Sequence, residues 1–158
     1  MSSLFLNIVY LSGVIITPVC ACVDVAPRGI PPQPTSVDSP NPLDYQFEVN
    51  TFDDTAGVFE LYVELQVLKT DFARFELHME DVESKKTVGQ WRTHKEFEGV
   101  TKPMPCPGDG AAGVLTNSKP LTGKVVAGIW KADSGYRGNV MPVTTIIKNE
   151  KMYWKDIT

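Results

Sequence analysis

Between Phe59 and Val67 the apolar residues fall at every second position. Phe59, Leu61, Val63, Leu65 and Val67 lie on one face, with Glu60, Tyr62, Glu64 and Gln66 on the other. Successive strand side chains point to opposite sides, so this alternation predicts a half-buried antiparallel strand. Phe75, Leu77 and Met79 repeat it against Arg74, Glu76, His78 and Glu80. Further β-rich runs are predicted at Tyr45–Asn50, Thr87–Trp91, Gly113–Asn117, Gly123–Trp130, Val140–Lys148 and Lys151–Asp156. No segment carries a sustained 3.6-residue period. Seven or eight short strands separated by turn residues predict an all-β, Ig-like antiparallel β-sandwich. Asp133–Asn139 and the Pro- and Gly-rich stretch Glu98–Gly110 read as loops, and Pro142 places its part of the strand at an edge or a bulge.

Ahead of the strands, Pro27–Pro42 holds six prolines among small and polar residues. Such a composition favours extended backbone and cannot form a helix, so an extended Pro-rich N-terminal arm is expected. Before it, Leu4–Ile16 is apolar and ends ahead of Pro18. The run falls short of the ~20 residues a spanning helix needs and suits the core of a secretory leader. Val19 and Ala21 supply the small residues of a cleavage site, which makes residues 1–21 a signal peptide and 22–158 one domain. A retained N-terminal anchor and a lipid-bearing Cys22 are the rival readings. An n-region without Lys or Arg suits the lipidation route poorly.

Cleavage after Ala21 removes Cys20 and leaves Cys22 and Cys106, which reads as one disulfide in an oxidising compartment. The net charge of −4 is carried wholly by the mature part and argues against nucleic-acid binding. No second apolar stretch could span a membrane, and no Asn-x-Ser/Thr acceptor is present.

The chemistry-bearing residues are few. There are two histidines, His78 and His94, and no HExxH, CxxC or GxSxG arrangement. His78 reads as a solvated residue on the polar face of its strand, and His94 as a loop residue. A metal site built on both lacks a third ligand. Glu98 and Asp109 could face calcium but read better as solvated loop acids. No enzyme, metal or cofactor is expected. Trp130 and Trp154 read as core rather than as sugar platforms, with Trp91 more open. Lys119, Lys124, Lys131 and Arg137 could form a basic patch. On the Gly-flanked loop Asp133–Asn139, Lys131, Tyr136 and Arg137 combine charge with an aromatic ring, a set suited to a sulfated glycan or an anionic microbial surface.

The order of motifs resembles the reeler (reelin-type) domain family across the whole mature chain. Cys22 to Gln33, with Pro27, Arg28, Gly29 and the Pro32-Gln33 pair, looks like that family's opening. Phe72 to Glu80 is similar to its Phe-x-Gly-Phe-x-Leu strand, and Val88-Gly89-Gln90-Trp91 to the continuation. Leu115 to Ser118, Val125 to Trp130, Gly138-Asn139-Val140 and Tyr153-Trp154 follow in the family's order. Arg28, Arg74, Asn117 and the run Lys131 to Asp133 depart from the pattern. The family's members include matrix glycoproteins, membrane-bound reductases and small secreted defence proteins. The resemblance implies a secreted domain in humoral defence, or in an extracellular matrix or adhesion role, and with no catalytic arrangement in the sequence a non-enzymatic monomer is expected.

Overall fold

A computed structural model describes residues 31–34, 42–53, 59–105 and 113–158 of the chain. Its strands are β1 (Tyr45–Asp53), β2 (Glu60–Val67), β3 (Arg74–Asp81), β4 (Gln90–Thr93), β5 (Thr101–Met104), β6 (Val114–Asn117), β7 (Val125–Lys131), β8 (Val140–Asn149) and β9 (Met152–Ile157). They pair antiparallel in two sheets, a four-stranded one in the order β1-β2-β7-β4 and a five-stranded one in the order β5-β6-β3-β8-β9. The expected sandwich is thus present, with nine strands among the described residues where seven or eight were expected.

The period-two pattern sets which side of each sheet turns inward. Leu61, Val63, Leu65 and Val67 of β2 are buried, as are Phe75, Leu77 and Met79 of β3. Together with Trp91, Trp130, Ile146 and Trp154 they form one core between the sheets. All three tryptophans are core residues, and Trp91 stands directly opposite Trp130 across the β4–β7 pair. Trp130 meets the need of its buried indole N–H by donating to the Val88 carbonyl at 2.8 Å. Buried hydroxyls are satisfied in the same manner. Thr116 Oγ1 donates to the Phe75 carbonyl at 2.7 Å, and Thr144 Oγ1 to that of Glu76 at 2.8 Å.

Two prolines lie inside strands, at positions where a missing N–H does no harm. Pro142 of β8 pairs with Met79 of β3, but β9 pairs with β8 only from Thr144 onward, so that stretch of β8 has one open side. Pro103 lies in β5, an edge strand of its sheet. The segment Glu98–Gly110, expected to be loop throughout, therefore contains a strand at Thr101–Met104. A single 3-10 turn at Lys95–Phe97 leads into it, with His94 as its N-cap. The strand expected at Thr87–Trp91 is shifted to Gln90–Thr93, and Thr87 forms only an isolated bridge with Glu80.

His78 is not the solvated residue its strand pattern suggests. Its register partners on the outward side of the five-stranded sheet are Val114 and Val143, both apolar and buried. Burial lowers its pKa, against the opposing pull of Glu80 and Asp156, and among the described residues its Nδ1 has no hydrogen-bond partner. Of the arm, residues 31–34 are described, and the Gln33 N–H donates to the Tyr153 carbonyl of β9 at 2.8 Å. The leader, Cys22 and Cys106 lie outside the described residues.

Candidate functional site

Asp133–Asn139 joins β7 to β8 at one end of the sandwich, and it is tied down at several points. The Ala132 N–H donates to the Phe59 carbonyl at 3.0 Å as the chain leaves β7. Asp133 accepts from the Gly89 N–H at 2.9 Å through its carboxylate and from the Tyr136 N–H at 3.0 Å through its carbonyl, closing a turn. Gly135 sits inside that turn at φ +80°, a conformation that side chains with a Cβ rarely adopt.

The firmest tie is made by Tyr136, whose hydroxyl donates to Asp81 Oδ2 in a short hydrogen bond and lies 3.2 Å from the Asn139 carbonyl. Asp81 ends β3, and its other carboxylate oxygen accepts from the Ser84 N–H at 2.7 Å, the Ser84 hydroxyl at 2.8 Å and the Glu83 N–H at 3.2 Å. One carboxylate thus organises the turn after β3 and holds the neighbouring loop against it. The Val82 N–H adds a bond to the Asn139 carbonyl at 2.9 Å. Donation by Tyr136, and then by Ser84, holds the Asp81 carboxyl down at about 2. Desolvation and the bond to Asp81 push the Tyr136 hydroxyl up to about 12.

Of the three residues the sequence singles out, Tyr136 is half-buried and committed through its hydroxyl, while Lys131 and Arg137 are exposed. Arg137 donates to the Tyr136 carbonyl at 2.8 Å, which leaves most of its guanidinium donors to solvent. Lys131 is the last residue of β7, opposite Glu60 on one side and Gln90 on the other. Lys119 and Lys124 do not join them. Lys124 precedes the start of β7 and Lys131 ends it, a strand length of about 20 Å at the rise of extended chain. Lys124 instead donates to the Leu68 carbonyl at 3.3 Å, so the four cations form two groups at opposite ends of the sandwich.

His78 and His94 are likewise separated. The first lies on the outward side of the five-stranded sheet, whereas the ring of the second packs on Tyr62, on the outward side of the four-stranded sheet. Among the described residues no three His, Cys, Asp or Glu side chains converge as metal ligands, and no helix is long and apolar enough to cross a membrane. Glu98 closes the 3-10 turn, and Asp109 is outside the described residues. Sequence reasoning missed Asp81. Its signal was local: an Asp followed three residues later by Ser, at the end of an alternating strand, is a turn-forming pattern.

Comparison with known proteins agrees with this architecture. No curated protein matches the chain significantly in sequence. Among solved structures it resembles the reelin-N domain of F-spondin, with 18% identity, 70% of this chain and 76% of that one covered, and a TM-score of 0.52. It also resembles two structures of the human F-spondin reeler domain. One has 17% identity, covers 70% of this chain and 78% of the other, and has a TM-score of 0.52. The second has 18% identity, covers 71% and 84%, and has the same TM-score of 0.52. Identities this low speak to the fold alone. The family model for the reeler domain, however, matches residues 20–158, nearly the whole sequence, and on that match the chain belongs to the reeler domain family.

Proposed function

We propose that the protein is a secreted, non-enzymatic reeler domain that binds an anionic extracellular ligand, in a matrix or adhesion role. The observation that carries this reading is the tied loop Asp133–Asn139, which displays the exposed Arg137 on a backbone held in place by Asp81 and Tyr136, with the exposed Lys131 ending β7 just before it. A pre-organised loop loses little entropy on binding, so two exposed cations there suit a sulfated glycosaminoglycan. Likeness to the F-spondin reeler domain supports an extracellular setting and favours the matrix role over humoral defence.

The test is binding of heparan sulfate to the purified secreted protein at two salt concentrations. The Lys131→Ala, Arg137→Ala double variant should keep its melting temperature and lose the salt-sensitive part of the affinity. An affinity equal to that of the unaltered protein, or binding indifferent to salt, would remove this loop as the site.

Processing belongs to the same reading. Cleavage before Cys22 and a Cys22–Cys106 bond would close a loop of more than eighty residues and fasten the arm to the domain. Non-reducing peptide mapping of secreted protein should recover the two cysteines in one linked pair. Two free thiols in folded protein would end the proposal.

A further inference from the structure

The outward side of the four-stranded sheet carries a second polar surface. Arg92, on β4, reaches across β7 to β2 and β1. Its guanidinium pairs with Glu60 Oε2 at 2.7 Å and lies 5.1 Å from the centroid of the Phe52 ring, which is 47% exposed. Here a carboxylate and an aromatic face together hold one guanidinium, the geometry of a charge-assisted hydrogen bond joined to a cation–π contact.

Farther along the same two strands the anionic half of that arrangement recurs without its cation. Glu64 of β2 stands directly opposite Glu48 of β1. Tyr62 Oη donates to Glu64 at 2.7 Å and Asn50 Nδ2 to Glu48 at 2.8 Å, both neutral donors. Among the described residues no ion pair reaches either carboxylate. The Tyr62 ring adjoins them, with His94 edge-on to it at a centroid distance of 5.3 Å. Burial, the bond to Glu64, and the charges of Glu64, Glu96 and Glu48 push the Tyr62 hydroxyl up. Like charges directly opposite each other destabilise a strand pair, and a cation set between them would remove the repulsion.

We propose that this face docks a basic segment of another extracellular protein, with an arginine of that segment lodged between Glu48 and Glu64 beside Tyr62, as Arg92 is lodged between Glu60 and Phe52. Arginine suits the place better than lysine. A planar guanidinium can bond two carboxylates at once while stacking on a ring, whereas an ammonium acts as a point charge.

The probe is a fluorescent nona-arginine peptide titrated against the secreted protein, with nona-lysine in parallel. Glu48→Gln with Glu64→Gln should weaken nona-arginine binding about tenfold or more, the loss expected when charge-assisted contacts become neutral ones. Glu98→Gln with Glu150→Gln makes the same change in net charge at exposed turns and should leave the affinity unchanged. The first double variant should melt no lower than the unaltered protein, because it removes a repulsive pair. Equal weakening in both double variants, equal affinity for nona-lysine, displacement of the peptide by millimolar calcium, or a lowered melting temperature in Glu48→Gln, Glu64→Gln would each overturn the proposal.

Discussion

Gly89→Ala is expected to cost about 2 to 5 kcal/mol of folding stability, through two separable effects. Gly89 holds φ +73°, where an L side chain brings its Cβ against the backbone. The new methyl would also be driven into the Trp130 indole, against its Cε2, Nε1 and Cζ2 atoms. That ring is fully buried, packs edge-on to Phe59 at a centroid distance of 6.5 Å and donates to the Val88 carbonyl, so it has nowhere to move without losing contacts. Gly99 separates the two effects, since it has nearly the same φ, +72°, but nothing within 4 Å of an added Cβ. Gly99→Ala should therefore show only the backbone cost, about 1 to 2 kcal/mol. Urea unfolding of the two variants measures the difference. Coincident midpoints would show that the indole is not the constraint that keeps residue 89 a glycine.

Most of the core was legible because burial between two sheets imposes period two on the sequence. Leu61 to Val67 and Phe75 to Met79 declare their inward face directly, and Trp130 and Trp154 are where an Ig-like sandwich buries such rings, whereas Trp91, read as more open, is buried as well. β5 was not legible. Its Pro103 and the surrounding Pro- and Gly-rich composition argue against a strand, and only its place at the sheet edge makes the missing N–H harmless. His78 misled for a related reason. Alternation identifies two faces of a strand but not what lies over each, and the flanking Val114 and Val143 come from segments far away in sequence. The loop's cations were read from composition, which could not separate Lys119 and Lys124 from Lys131 and Arg137. The direction of β7 does that. Asp81 and Tyr136, 55 residues apart, are brought together only by the pairing of β3 with β8.

That contact predicts how stability depends on pH. Asp81 titrates at about 2 in the folded protein, below the unfolded value of about 3.9. Its contribution is therefore complete above the unfolded value and is lost as pH falls from there toward 2. Tyr136 has the opposite sign. Its folded value of about 12 lies above the unfolded value of about 10, so its share is present below 10 and disappears as pH rises through 12. In Asp81→Asn the amide cannot ionise, and thermal melts between pH 2 and 7 should show a shallower acid limb than in the unaltered protein. Tyr136→Phe keeps the carboxylate and its bonds from Ser84 and Glu83, so it should flatten the acid limb only in part while removing this tyrosine's share of the alkaline loss. The same two variants bear on binding, because the Asp81–Tyr136 contact holds the loop that displays Arg137. In Asp81→Asn the backbone N–H groups of Val82 and Tyr136 should exchange faster with solvent than in the unaltered protein, since their acceptors belong to the loop that is released. An acid limb in Asp81→Asn as steep as before, with unchanged exchange at those two amides, would mean that the loop is held by its other bonds and that Tyr136 does not anchor it.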